Sequence, residues 1–70
     1  MGQLVSNMAG SVWKIVVKEG DKVEQGQELV ILESMKMEIS LTSSSIGTVK
    51  EIKVNEGDFV NEGDVLLEIE

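Results

Sequence analysis

The chain has no cysteine, no histidine and no arginine, and each absence closes off a class of function. Without cysteine, a disulfide-stapled secreted module is excluded. With histidine also missing, neither disulfides nor structural zinc can staple so short a chain, and stability has to come from a very regular fold. All six basic residues are lysines, set against 13 acidic ones for a net charge of −7. That balance argues against nucleic acid or an anionic membrane as partner, because both require basic patches that neutralise phosphates. The acidity is read as a solvated surface that keeps the domain soluble and monomeric, with steering toward basic partner surfaces as the secondary reading. Long apolar runs are lacking too. The longest is Leu29–Leu32, far short of a membrane span, and the N-terminus lacks the basic and apolar regions of a signal peptide. A cytoplasmic location is therefore expected. The opening Met1-Gly2-Gln3-Leu4-Val5-Ser6 fits the loose N-myristoylation pattern, but the pattern is short and a Gly after Met is as easily incidental, so myristoylation is not expected.

Seventy residues imply one domain, spanning 1–70, since two pieces would each be too small to enclose a core. Within it the chain repeats itself at an offset of 37. Segment 10–33 (GSVWKIVVKEGDKVEQGQELVILE) and segment 47–70 (GTVKEIKVNEGDFVNEGDVLLEIE) are identical at eleven of 24 positions, among them Gly10/Gly47, Val12/Val49, Gly20/Gly57, Asp21/Asp58 and Leu29/Leu66. Two copies are too few for a solenoid. They most simply pack against each other about an approximate two-fold axis, each covering the other's apolar face.

Each copy reads as short strands. Val12, Ile15 and Val17, with Val49, Ile52 and Val54, are β-branched residues mixed with polar ones, a pattern suited to a half-buried sheet. Glu-Gly-Asp at 19–21 and 56–58 then turns the chain, and Gly26 and Gly63 punctuate it again before Leu29–Leu32 and Val65–Leu67. Strands this short with turns this frequent imply an all-β sandwich or barrel. A helix over 28–41, with Leu29, Leu32, Met35 and Ile39 on one face, is the competing reading. Against it, Val30 and Ile31 are poor helix formers, and the equivalent tail Val65–Glu70 is too short to form a stable helix.

Between the copies lies Glu33-Ser34-Met35-Lys36-Met37-Glu38-Ile39. If Glu28–Ser34 and Met37–Thr42 are strands, only Met35 and Lys36 remain to join them, and a two-residue hairpin loop needs positive φ, normally supplied by Asn-Gly or Asp-Gly. Met-Lys is a poor choice for folding, which marks the turn as functional. It presents a primary amine on a four-carbon stem at the most exposed point of a hairpin. The plainer alternative is a solvated turn lysine flanked by two methionines that fill core gaps.

The same residues resemble the attachment motif of biotinyl domains, in which a Met-Lys-Met centre, commonly preceded by Glu-Ala, marks the modified lysine. Met8-Ala9-Gly10 resembles that family's first turn, and the Gly-x-Val…Gly-Asp-x-Val…Gly pattern from Gly47 to Gly63 resembles its C-terminal half. The similarity covers nearly the whole chain and is closest to the small biotin/lipoyl attachment proteins. It implies a flattened β-barrel (a barrel-sandwich hybrid) of two four-stranded antiparallel sheets with internal quasi-two-fold symmetry. Segment 1–33 would supply four strands and segment 38–70 the other four. Ser34 stands where the family usually has Ala, a small-for-small change. No insertion resembles the protruding thumb of some bacterial acetyl-CoA carboxylase carriers, so no partner that reads a thumb is expected.

The resemblance also implies a mechanism. A biotin protein ligase would activate biotin as its adenylate, and the Lys36 amine would attack it to form an amide. A free lysine amine, with a pKa of about 10.4, is protonated near neutrality, so that ligase has to remove the proton. Glu33, Met35 and Met37 are candidates for ligase recognition. The attached biotin would then carry carboxyl groups between a biotin carboxylase and a carboxyltransferase, and the carrier would contribute reach and effective concentration. No catalytic residue and no metal ligand is expected, since the chain has no His, no Cys, no phosphate-cradling loop and no metal-ligand cluster. Lipoate on the same lysine is the nearest alternative, but lipoyl domains usually carry Asp-Lys-Ala at the turn. An unmodified barrel that serves as an interaction module is the alternative of a different class.

Overall fold

The computed structural model describes residues 2–70, so Met1, the first residue of the N-terminal Met-Gly pattern, lies outside it. Eight strands follow in order: β1 Gly2–Val5, β2 Gly10–Ile15, β3 Lys22–Val23, β4 Glu28–Ser34, β5 Met37–Thr42, β6 Gly47–Ile52, β7 Phe59–Val60 and β8 Val65–Ile69. They form two four-stranded antiparallel sheets, ordered β1-β8-β6-β3 and β5-β4-β2-β7. The competing helix over 28–41 is not formed, and the all-β expectation holds. Its apolar residues belong instead to β4 and β5, where Val30 and Ile31 satisfy the strand preference of β-branched side chains.

Advancing every strand number by four turns the first sheet order into the second, which is the expected quasi-two-fold. The copies do not each make a sheet, however. Each sheet takes two strands from either copy, so the halves interleave rather than stack. Backbone and side chain tie them together in matched pairs. Gly20 N–H donates to the Val49 carbonyl at 2.8 Å and Gly57 N–H to the Val12 carbonyl at 2.7 Å. The Glu56 carboxylate accepts from Ile15 N–H, and the Glu19 carboxylate from Ile52 N–H, both at 3.0 Å. The repeated glutamate thus accepts from a backbone donor of the opposite copy.

The core lies between the sheets. Leu29, Leu32, Leu66 and Leu67 are fully buried, with Val12, Val23, Val30 and Val49 packed around them. Truncating one such leucine to alanine costs about 2–5 kcal/mol, while a domain of this length has only about 4–10 kcal/mol in total. One core leucine therefore decides whether the fold survives. Two serines sit at the sheet corners, Ser6 and Ser43, buried but satisfied, each hydroxyl donating to the carbonyl two residues on. The turn glycines Gly20 and Gly57 have φ of 93° and 95°, a region that side chains with a Cβ rarely enter.

Candidate functional site

The β4–β5 hairpin pairs Leu32 with Ile39, Glu33 with Glu38 and Ser34 with Met37, leaving Met35 and Lys36 as a two-residue loop. Both residues have positive φ, 52° and 65°, the signature of the type I′ turn whose twist matches the flanking strands. For residues that carry a Cβ this conformation costs about 1–2 kcal/mol each. The long β4–β5 and β2–β4 ladders hold the strained turn in place.

Solvent surrounds the loop. Met35 is 91% and Met37 63% exposed, so neither fills a core gap, contrary to the plainer sequence reading. Lys36 is exposed as well, as are Glu33 and Glu38, while Ser34 is half-buried. Among the described residues, the ion pairs formed by lysine involve Lys53 alone, so the Lys36 amine is not engaged by a carboxylate. Lys53 Nζ lies 3.3 Å from Glu51 Oε1 and 3.8 Å from Glu68 Oε2. Its hydrogen bond to Glu51 and the charge of that carboxylate, then the charge of Glu68, raise its pKa above the ordinary lysine value.

Beside the tip an open cleft of about 450 Å³ is lined by Ala9, Gly10 and Ser11 at the start of β2, by Glu33, Ser34, Met35 and Lys36 of the hairpin, and by Phe59. Gly10 lets the strands come this close, because a Cβ there would lie 2.8 Å from the Glu33 carbonyl oxygen. The hairpin motif gives no hint of Phe59, which reaches the site from β7 by pairing with Ser11. Its one signal in the sequence is that it breaks the repeat, standing where the other copy has Lys22.

Chemically, the site can offer a nucleophilic amine. Among the described residues no three His, Cys, Asp or Glu side chains cluster so as to hold a metal, and no helix is long and apolar enough to cross a membrane.

The family model described as "Biotin-requiring enzyme" matches residues 1–69. The chain is similar to the biotin/lipoyl attachment protein of Bacillus subtilis, with 64% identity over 62 residues, 89% of this chain and 85% of that protein. It is also similar to the methylmalonyl-CoA carboxyltransferase 1.3S subunit of Propionibacterium freudenreichii subsp. shermanii, with 54% identity over 37 residues, 53% of this chain and 30% of the subunit. Among solved structures, urea carboxylase of Kluyveromyces lactis contains a region that superposes with a TM-score of 0.91 at 37% identity, covering 97% of this chain and 6% of that enzyme. The chain thus spans most of the small relative and only a minor part of the two larger ones.

Proposed function

Because the chain belongs to the family of biotin/lipoyl attachment domains, we propose that it is a single biotinyl domain that takes one biotin in amide linkage on Lys36. The function is that of a biotin carrier domain, and the lipoyl alternative is not favoured: the larger relatives are components of carboxylases and carboxyltransferases. The single observation that carries the assignment of the lysine is the strained, exposed two-residue tip that holds Lys36 out.

In this reading the unprotonated Lys36 Nζ attacks the carbonyl carbon of an acyl adenylate, the C–N bond forms, the nucleotide leaves, and the excess amine proton passes to a base of the ligase or to solvent. The chain's own contribution is positional. Type I′ geometry and the ladders of β4 fix the point and direction from which the lysine stem leaves the turn, so only the rotamers of the stem itself remain to be ordered by the enzyme. Bound biotin supplies a ureido nitrogen able to carry a carboxyl group, and the domain confines that carriage within reach of a biotin carboxylase and a carboxyltransferase. Glu33, Met35 and Met37, exposed around the lysine, are residues that a ligase can read.

Intact mass after incubation with biotin protein ligase, biotin and ATP tests the assignment. One biotinyl group is expected on the parent and none on Lys36→Arg, whose guanidinium is never usefully deprotonated. Modification of the Arg variant would refute Lys36 as the acceptor.

A further inference from the structure

The quasi-two-fold supplies an internal control for the surface. Residues 37 apart occupy the same place on the two sheets, so whatever folding demands of one outer face it demands of the other. Exposed apolar residues occur on both halves, Val5 and Ile46 standing where the equivalents are Thr42 and Ala9, but around β2, β4 and β7 the two faces differ in kind. On the sheet that carries the Lys36 hairpin, the outer positions include Trp13, Val16, Ile31 and Phe59; their equivalents on the other sheet are Lys50, Lys53, Glu68 and Lys22. All four pairs are apolar against charged.

The register confirms that these positions correspond. Phe59 pairs with Ser11 as Lys22 pairs with Thr48, and Ile31 pairs with Lys14 as Glu68 pairs with Glu51. Trp13 and Lys50 occupy the same irregularity, where the register shifts between Val12 and Lys14 and between Val49 and Glu51. Lys53 bonds to Glu51 and Glu68, so its equivalent Val16 belongs beside Lys14 and Ile31. Trp13 is 48%, Val16 43% and Phe59 66% exposed.

Folding does not explain the apolar set, because the charged set supports the same backbone, the same turns and an equally buried core valine, Val12 and Val49 both at 1%. Apolar groups grouped on one face and left in water mark an interaction surface. The face is continuous with the modification site, since β4 and β5 belong to its sheet and Phe59 borders the cleft that Met35 and Lys36 also line. Its charged margin is acidic beside the tip: Glu33 and Glu38 stand exposed and directly opposite each other, an arrangement unfavourable to the hairpin itself. Lys14 also stands on this face, its Nζ 5.9 Å from the centre of the Trp13 ring, so the complementary partner has an apolar centre that tolerates one cation and, beside the tip, a basic margin.

Resting on the carrier reading above, we propose that this face is where the biotin protein ligase docks, with Phe59 and Trp13 as anchors and Glu33 and Glu38 facing basic groups of the enzyme. The ligase is the partner that must bring its reacting carbon within about 3–3.5 Å of the Lys36 amine itself. An enzyme that reaches into that cleft covers Phe59, whereas one that acts at the far end of an attached arm works an arm's length away.

The test is ligase kinetics with the carrier as varied substrate. Trp13→Lys/Phe59→Lys borrows both residues from the twin face and is expected to raise KM for the carrier by roughly ten-fold or more, as for lost aromatic anchors, with kcat at saturation unchanged. Lys22→Ser/Lys50→Ser on the other face is expected to match the parent. If the first variant shows the parent's KM, docking on this face is overturned while the carrier reading stands. If the parent itself accepts no biotin, both fall. A second measurement needs no variant: titrating ligase without biotin or ATP into the ¹⁵N-labelled parent is expected to broaden the Trp13 indole N–H and the Ile31 and Phe59 amides, leaving Lys22 and Lys50 unperturbed. Perturbation confined to residues 33–38, or a parent dimer that Trp13→Lys/Phe59→Lys dissociates, would overturn the proposal.

Discussion

Replacing the turn by the pair that folding prefers, Met35→Asn with Lys36→Gly, should make the domain more stable and remove its acceptor. The magnitude follows from the backbone. Both residues sit at positive φ, 52° and 65°, at about 1–2 kcal/mol each for a side chain with a Cβ. Asn relieves part of that and Gly nearly all, less the extra unfolded-state entropy of Gly, on the order of 0.5–1 kcal/mol. A net gain of about 1–2 kcal/mol remains. Little packing is lost in exchange, since Met35 is 91% exposed and Lys36 lies in solvent. For a domain of this size each kcal/mol moves Tm by about 4–8 °C, well within the precision of thermal unfolding followed by circular dichroism or Trp13 fluorescence. An unchanged or lower Tm would refute the claim that the tip is strained for the sake of presenting Lys36, and would mean that the Met-Lys pair relaxes at no cost.

Gly20→Val and Gly57→Val should destabilise alike, each by on the order of 1–3 kcal/mol, because both positions have φ near 95° and no atom within 4 Å of a new Cβ, so strain is the shared cause. Clearly different denaturation midpoints would contradict the equivalence of the halves; a change at exposed Glu24 should do little. Exchanging the tip residues, Met35→Lys with Lys36→Met, should nearly abolish biotinylation while shifting stability by less than about 1 kcal/mol, since a misplacement near 1 Å costs roughly a hundredfold in rate; parent-like modification would show that the ligase reads a flexible peptide. Glu51→Gln should lower the Lys53 pKa, read from its side-chain NMR shift against pH, because the hydrogen bond and charge of Glu51 are the main cause of its rise. A raised lysine pKa stabilises the fold below the unfolded value near 10.4 and is lost as pH climbs through the folded value, so the variant should also show a shallower loss of stability in that alkaline window; an unmoved Lys53 titration would refute the contact.

Much of the molecule is legible in the residues alone because the code is written twice. The 37-residue repeat, the Glu-Gly-Asp turns and the β-branched runs together imply paired short strands, and the strand ends Ser34 and Met37 leave only a two-residue loop, as observed. Local chemistry suffices for this: turn glycines, strand preference and the spacing of one unusual loop act over a few residues. Three features required the tertiary structure. The interleaving of the copies depends on long-range pairing, with β8 between β1 and β6 and β2 between β4 and β7, which no local pattern encodes. The exposure of Met35 and Met37 could not be separated from core filling in the sequence, because methionine suits either setting and only the position of the turn decides. Phe59 enters the site across 23 residues of chain from Lys36, brought there by its pairing with Ser11, and side chains gathered from distant strands meet only when the sheets close.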